Sequence, residues 1–264
     1  MSKDTQFSNL FLKNEEEKKM YNNINWFIKK IPKVAEYTFD YNDNCFDIIK
    51  EIKIPEIIEH YFTLIKNNLK GKNLGDEKKL NDINNKVYDY IMEQLYDKLF
   101  PKEFLIQDIK IYQNCYNHIW IEFHNLIKEN KNYIFDDYLS DTINYFKQFE
   151  KEKSPRKKLV CLQKIFDCTY NLAKFNGDEV KGADDEMPIL NYSLIQSKPE
   201  SLYSNCKYTE LFLGGKASEI EGSQLTKIIG ICQKMENVSF ADFYNLTETD
   251  YIYKCDLVNK GLLY

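Results

Sequence analysis

Apolar residues recur at three- and four-residue intervals along most of the 264-residue chain, the spacing that gathers them on one stripe of a helix. From Pro55 onward, Ile58, Tyr61, Ile65 and Leu69 trace such a stripe, with Pro at a first position where its missing N–H is no loss. Glycines and charges at 70–79 predict its end. Val87, Ile91, Leu95 and Leu99 lie four apart and stop before Pro101. In "DIKIYQNCYNHIWIEFHNLI", Tyr112, Cys115, Ile119, Phe123 and Leu126 predict another apolar face, and Leu139, Ile143, Phe146 and Phe149 a further one. Ser154-Pro155 reads as N-cap and first turn of a helix that turns Leu159, Leu162, Ile165, Phe166 and Leu172 inward and ends near Asn176-Gly177. No alternating stretch competes with these patterns, so the predicted fold class is all-α.

Boundaries sharpen around "GADDEMPIL". Asp184 and Asp185 fall at the entrance of a helix carrying Leu190, Leu194 and Ile195, and Pro188 suits that helix only within its first turn. An acid there caps orphan N–H groups and suits the helix dipole; the alternative is that one acid is presented to a partner. "KPESLYSN" reads as a turn, "CKYTELFL" as a short helix and "GGKASEIEG" as a connection. Leu225, Ile228, Ile229, Cys232 and Met235 form the last buried stripe, in a helix that Ser223 is placed to cap.

Composition narrows the chemistry. Hydrophobic residues make up 43% of the chain and aromatics 15%, with only 6 Pro and 9 Gly, a balance that favours long helices. A net charge of −5 gives no basic footprint, so nucleic acid is not an expected partner. Seven cysteines without a C-x-x-C pair read as reduced, mostly buried thiols. His60, His118 and His124 lack metal-ligand spacing, and Cys115 with His118 lacks a second pair, so neither metal nor cofactor is expected. Gly214-Gly215-Lys216 lacks the rest of a phosphate loop, and no signature of covalent catalysis is present. Neither a signal peptide nor a membrane-spanning stretch is apparent, which predicts a cytoplasmic chain.

Three stretches together, "SPRKKLVCLQKIFDCTYNLAK", "GADDEMPILNYSLIQSKPESLYSNCKY" and "LTKIIGICQKMENV", resemble the vacuolar protein sorting nine domain family. The upstream "LYDKLFPKE" and "DIKIYQNC" are similar to the segments that lead into that domain, so the likeness covers roughly residues 85–250. With the polar, charged start of the chain read as a segment at 1–40 that has room for a helix, the resemblance implies a helical bundle at 41–108 and a layered helical domain of the family's type at 109–264, packed with the bundle. It also implies an activity: guanine-nucleotide exchange, without covalent chemistry, on an endosomal GTPase of the Rab-five class in its GDP-bound and nucleotide-free states. The implied place of work is the periphery of early endosomes, reached through a recruiter protein.

Residue by residue, the resemblance makes Asp184 an aspartate finger and places Pro188, Ser223, Thr226, Asp185, Asn205 and Tyr208 as GTPase contacts. Asp185 also reads as a cap, and Asn205 and Tyr208 as braces beneath the binding groove. At Ser223, three residues before Thr226, the family usually carries a Tyr. That departure leaves two alternatives to an exchange factor: a Rab-binding module with weak or no exchange, and a helical scaffold.

Overall fold

The computed structural model describes residues 15–36, 54–70, 77–128, 137–177, 183–213 and 217–263. Among them are ten α-helices: α1 (Glu15–Glu36), α2 (Ile54–Lys70), α3 (Glu77–Leu99), α4 (Leu105–Asn117), α5 (Asp137–Lys151), α6 (Pro155–Phe175), α7 (Ala183–Ser197), α8 (Leu202–Leu213), α9 (Glu219–Glu236) and α10 (Glu248–Asn259). The described residues contain no strand, and the fold is all-α. They divide into two compact units, one reaching Glu103 and including Lys153–Lys157, the other formed by Phe104–Glu152 and the chain from Lys158 on.

In the first unit, α1 and α2 both pack on α3. The stripe Val87, Ile91, Leu95 and Leu99 is completely buried, faced by Ile58, Ile65 and Leu69 of α2 and by Ile24, Phe27 and Ile31 of α1. Each such aliphatic side chain contributes roughly 1.5–3 kcal/mol on burial. Phe27 and Tyr61 stack with ring centroids 3.8 Å apart. The hydroxyl of Ser154 donates to the buried Asp89 carboxylate at 2.6 Å, and Arg156 binds the same carboxylate with two nitrogens.

In the second unit, α4 is the hub, in contact with α7, α8, α9 and α10. Its buried stripe is Asp108, Ile111 and Cys115; of the predicted face Cys115 and, beyond the helix, Phe123 are buried, whereas Tyr112 faces out and the helix stops at Asn117, before Ile119. The reason is local. Trp120 Nε1 donates to the Asn117 carbonyl at 2.8 Å, and the Asn114 carbonyl, which accepts from His118 N at 3.1 Å, also lies 2.7 Å from the His118 ring, so side chains join the backbone in closing the end of the ladder. Cys115, Cys206 and Cys232 meet where α4, α8 and α9 converge, and their small side chains let the three helices approach. The described cysteines are free thiols, five of them buried; Cys45 lies outside the described residues.

Two predicted boundaries move. The stretch read as a turn becomes helical at Leu202, because its orphan N–H groups are capped from far away in the chain: Asp108 of α4 accepts from Tyr203 N and Ser204 N at 2.8 and 3.3 Å, and from the Ser204 hydroxyl. Glu150 of α5 accepts from Ser201 N at 2.5 Å. Helix α9 begins at Glu219 with Ser218 as its N-cap, in a capping box with Glu221. Ser223 is therefore an interior residue of α9 rather than its cap. Gly214-Gly215-Lys216 lies outside the described residues. As the sequence predicts, α6 ends before Gly177, whose φ of +79° is the left-handed conformation that closes helices at glycine.

A candidate binding groove between α6, α7 and α9

A groove of about 510 Å³ opens in the second unit. One wall is α6, through Phe166, Asp167 and Tyr170; the other is α9, through Glu219, Ile220, Ser223 and Lys227; α7 closes it with Glu186. Helical geometry explains the α9 wall, since residues three and four apart share a face. Lys227 crosses to Glu186 at 2.5 Å, with its ammonium 5.4 Å from the centre of the Phe166 ring. Three elements thus converge on one cation, which fixes α7 against α9 at the groove.

The predicted site residues separate into three groups. Ser223 lines the groove and is exposed. Thr226 is exposed on the adjacent face of α9, with its hydroxyl donating to the Gly222 carbonyl at 2.9 Å. Asp185 is exposed in the first turn of α7, directly before the groove residue Glu186. The backbone of Asp184 occupies the second position of α7; its side chain lies outside the described residues.

Pro188 is half-buried and sits inside α7, past its first turn, because the helix starts at Ala183. Position 188 has no N–H to give the carbonyl four residues earlier, so that rung of the α7 ladder is missing. This corrects the prediction that Pro188 stands within the first turn.

Asn205 and Tyr208 are fully buried, the position of braces beneath the surface rather than of groove lining. Asn205 accepts from the Lys158 ammonium at 2.5 Å and donates to the Ser201 carbonyl at 2.8 Å. Tyr208 packs on Phe212 with ring centroids 4.9 Å apart. Both are internal residues of α8. Burial also brings the Lys158 ammonium down to about 7, against the pull of Cys206 and Glu150.

Sequence reasoning missed Tyr170, Ile220, Glu186 and Lys227. Tyr170 and Ile220 carry a readable signal, as large side chains off the predicted buried stripes. The Glu186–Lys227 pair carries none, because its members are 41 residues apart on separate helices. Among the described residues there is no group of three or more His, Cys, Asp or Glu able to hold a metal ion, and no helix long and apolar enough to cross a membrane.

Comparison with known proteins places this geometry. Residues 139–239 match the Vacuolar sorting protein 9 (VPS9) domain family, a segment that contains every groove residue named above. Vacuolar protein sorting-associated protein 9A of Oryza sativa subsp. japonica is 23% identical over 199 residues, 72% of this chain and 41% of that protein. The human Rab5 GDP/GTP exchange factor is 32% identical over 65 residues, 25% of this chain and 13% of its own length. Receptor-mediated endocytosis protein 6 homolog of Drosophila pseudoobscura pseudoobscura is 36% identical over 64 residues, 24% of this chain and 4% of its own. The matches span less than half the length of each of these relatives. The likeness to the VPS9 domain family is carried by residues 139–239 of the 264-residue chain.

Proposed function

We propose that the chain is a guanine-nucleotide exchange factor for a Rab5-class small GTPase, bound at the groove between α6, α7 and α9. The observation that carries this reading is the coincidence of the VPS9 match with the groove. A relative named as a Rab5 GDP/GTP exchange factor supports the choice of partner.

A small GTPase holds its nucleotide through a P-loop lysine, backbone N–H groups and a Mg²⁺ that bridges the phosphates. Asp184, at the entrance of α7, is the carboxylate assigned to that lysine. There it replaces lost phosphate charge, stabilises the empty pocket and disfavours return of Mg²⁺ with nucleotide. A charge-assisted contact of this kind contributes roughly 1.5–3 kcal/mol. Acceleration is differential binding of the nucleotide-free state, with no bond made or broken in either protein. Pro188, Asp185, Ser223 and Thr226 supply the surrounding contact surface on α7 and α9. The site of action is the cytoplasmic periphery of early endosomes, reached through a recruiter protein.

A second reading has a specific observation behind it. Ser223 offers only a small hydroxyl to the groove it lines, which favours a module that binds a Rab without efficient exchange. Release of fluorescent GDP from purified Rab5, with and without the chain, decides between the two when combined with a binding measurement. Acceleration is the expected result; binding without acceleration establishes the second reading, and neither binding nor acceleration refutes both.

A further inference from the structure

Three large apolar side chains of the first unit are left in water: Trp26 of α1, 60% exposed, and Ile57 and Leu64 of α2, 39% and 47% exposed. Helical spacing brings them to one seam. Phe27 and Tyr61 stack where α1 meets α2; Ile57 stands four residues before Tyr61 and Leu64 three after it, so both flank that ring on α2. On α1, Lys30 follows Phe27 by three residues and Trp26 by four, and its ammonium lies 5.9 Å from the centre of the Trp26 ring. Lys19, seven residues before Trp26, continues that stripe and Lys29 borders it; all three lysines are exposed. The acids are set apart from it. Helix α1 has Glu15–Glu17 in its first turn and Glu36 at its end, with five lysines and no acid between them. On α2, the charge of Glu59 acts on the Tyr88 hydroxyl of α3, which puts it on the α3 flank, and Glu56 stands in the first turn. In a chain of net charge −5, the α1–α2 seam is thus a basic strip with an apolar centre.

We propose that this seam is a contact surface for an anionic lipid bilayer: Trp26, Ile57 and Leu64 enter the headgroup boundary, and Lys19, Lys29 and Lys30 face the acidic headgroups around them. An indole suits that boundary because its body is apolar and its N–H polar. Lysines beside it are drawn to the negative surface potential of acidic lipid, an attraction that salt screens. The aliphatic pair decides the class of partner. Ile57 and Leu64 gain nothing from the phosphates of a nucleic acid or from free anions, whereas a bilayer is acidic at its surface and apolar beneath. A contact this small holds weakly and reversibly, so it assists a recruiter protein and orients the first unit on the membrane. All of its residues belong to the first unit and all of the groove residues to the second, so the inference stands without the exchange-factor reading.

The test is sedimentation of the full chain with vesicles of phosphatidylcholine alone and of phosphatidylcholine with about 30% phosphatidylserine, alongside tryptophan emission and thermal melts. Binding to the anionic vesicles is expected, several-fold weaker to the neutral ones and falling with salt, with a blue shift of the emission. Trp26→Ser is expected to abolish the shift and lower binding several-fold, and Lys19→Gln with Lys30→Gln to lower it at least about tenfold at low salt. Positions 19, 26 and 30 are exposed, so the melts are expected to stay in place; should Trp26→Ser lower the melt, the lysine pair decides. Release of GDP from soluble Rab5 is expected to be the same for wild type and these variants, which separates a failure of this surface from a failure of the exchange reading. No binding to anionic vesicles, equal binding to both kinds, or indifference to the lysine pair overturns the proposal. Capture of soluble polyglutamate without vesicle binding overturns it in favour of an acidic polypeptide partner.

Discussion

Lys227 of α9 and Glu186 of α7 meet at 2.5 Å, with side chains only 29% and 17% exposed. Lys86 and Asp82 in α3 form a pair of nearly equal length, 2.6 Å, but are 51% and 60% exposed. Water and salt screen the second pair far more than the first. A double-mutant cycle with Lys227→Met and Glu186→Gln, read by chemical denaturation, is expected to give a coupling of about 1 kcal/mol. The same cycle at Lys86 and Asp82 is expected to give about 0.3–0.5 kcal/mol, as for other helical i,i+4 pairs. Equal couplings would mean that apolar contacts alone hold the groove walls together.

Asp108 stabilises α8 from outside it. Its carboxylate accepts from Tyr203 N, Ser204 N and the Ser204 hydroxyl, yet burial outweighs these donors and pushes its carboxyl up to about 6. Asp108→Ala leaves buried N–H groups without an acceptor and is expected to cost about 1–3 kcal/mol. Asp108→Asn keeps an acceptor oxygen and is expected to cost much less. Denaturation midpoints of the two variants check this, and equal losses would show that the site needs the charge.

Lys158 predicts a pH dependence. Its ammonium donates to the Phe149 carbonyl at 2.7 Å and to Asn205 at 2.5 Å in a fully buried site. Burial lowers it to about 7, while in the unfolded chain a lysine holds its proton to about 10.4. Below pH 7 both states carry the charge and the cost of burying it is fully present. As pH rises above 7 the folded chain releases this proton first, so this group makes stability increase with pH between about 7 and 9. Lys158→Met removes that slope. Parallel stability curves for the wild type and the variant across this range would contradict the assignment.

Much of the fold is legible in the sequence where helix-forming signals are local. The stripe Val87–Ile91–Leu95–Leu99, the start of α6 at Pro155 and its glycine stop at Gly177 all depend on residues within a turn or two of each other. Helix α8 starts earlier than its own residues indicate, since Asp108 and Glu150 cap it from 95 and 51 residues away. The start of α9 does have a local signal, since Ser218 followed by Glu221 is a capping box, and it places Ser223 inside the helix. At the groove, the acid pair and Ser223 could be singled out from motif resemblance. Tyr170 carries only the signal of a large side chain off its helix's buried stripe, and the Lys227–Glu186 tie carries none, because it arises only when separate helices pack.

The central claim is that the chain opens a GTPase through the charge at Asp184. Asp184 is the second residue of α7 rather than its N-cap; Asp184→Asn keeps the side chain's shape and removes its charge, and Asp185→Asn, one position on, is the matched control for general acidity and for the helix dipole there. The measurement is the rate of fluorescent GDP release from Rab5 with wild type and each variant, alongside their thermal melts. Wild type is expected to accelerate release, Asp184→Asn to reduce that acceleration by about one to two decades at about 1.4 kcal/mol per decade, and Asp185→Asn to reduce it much less, all with unchanged melts. Equal losses at both positions, a loss at Asp184 that tracks a lowered melt, or no acceleration by the wild type would contradict the account.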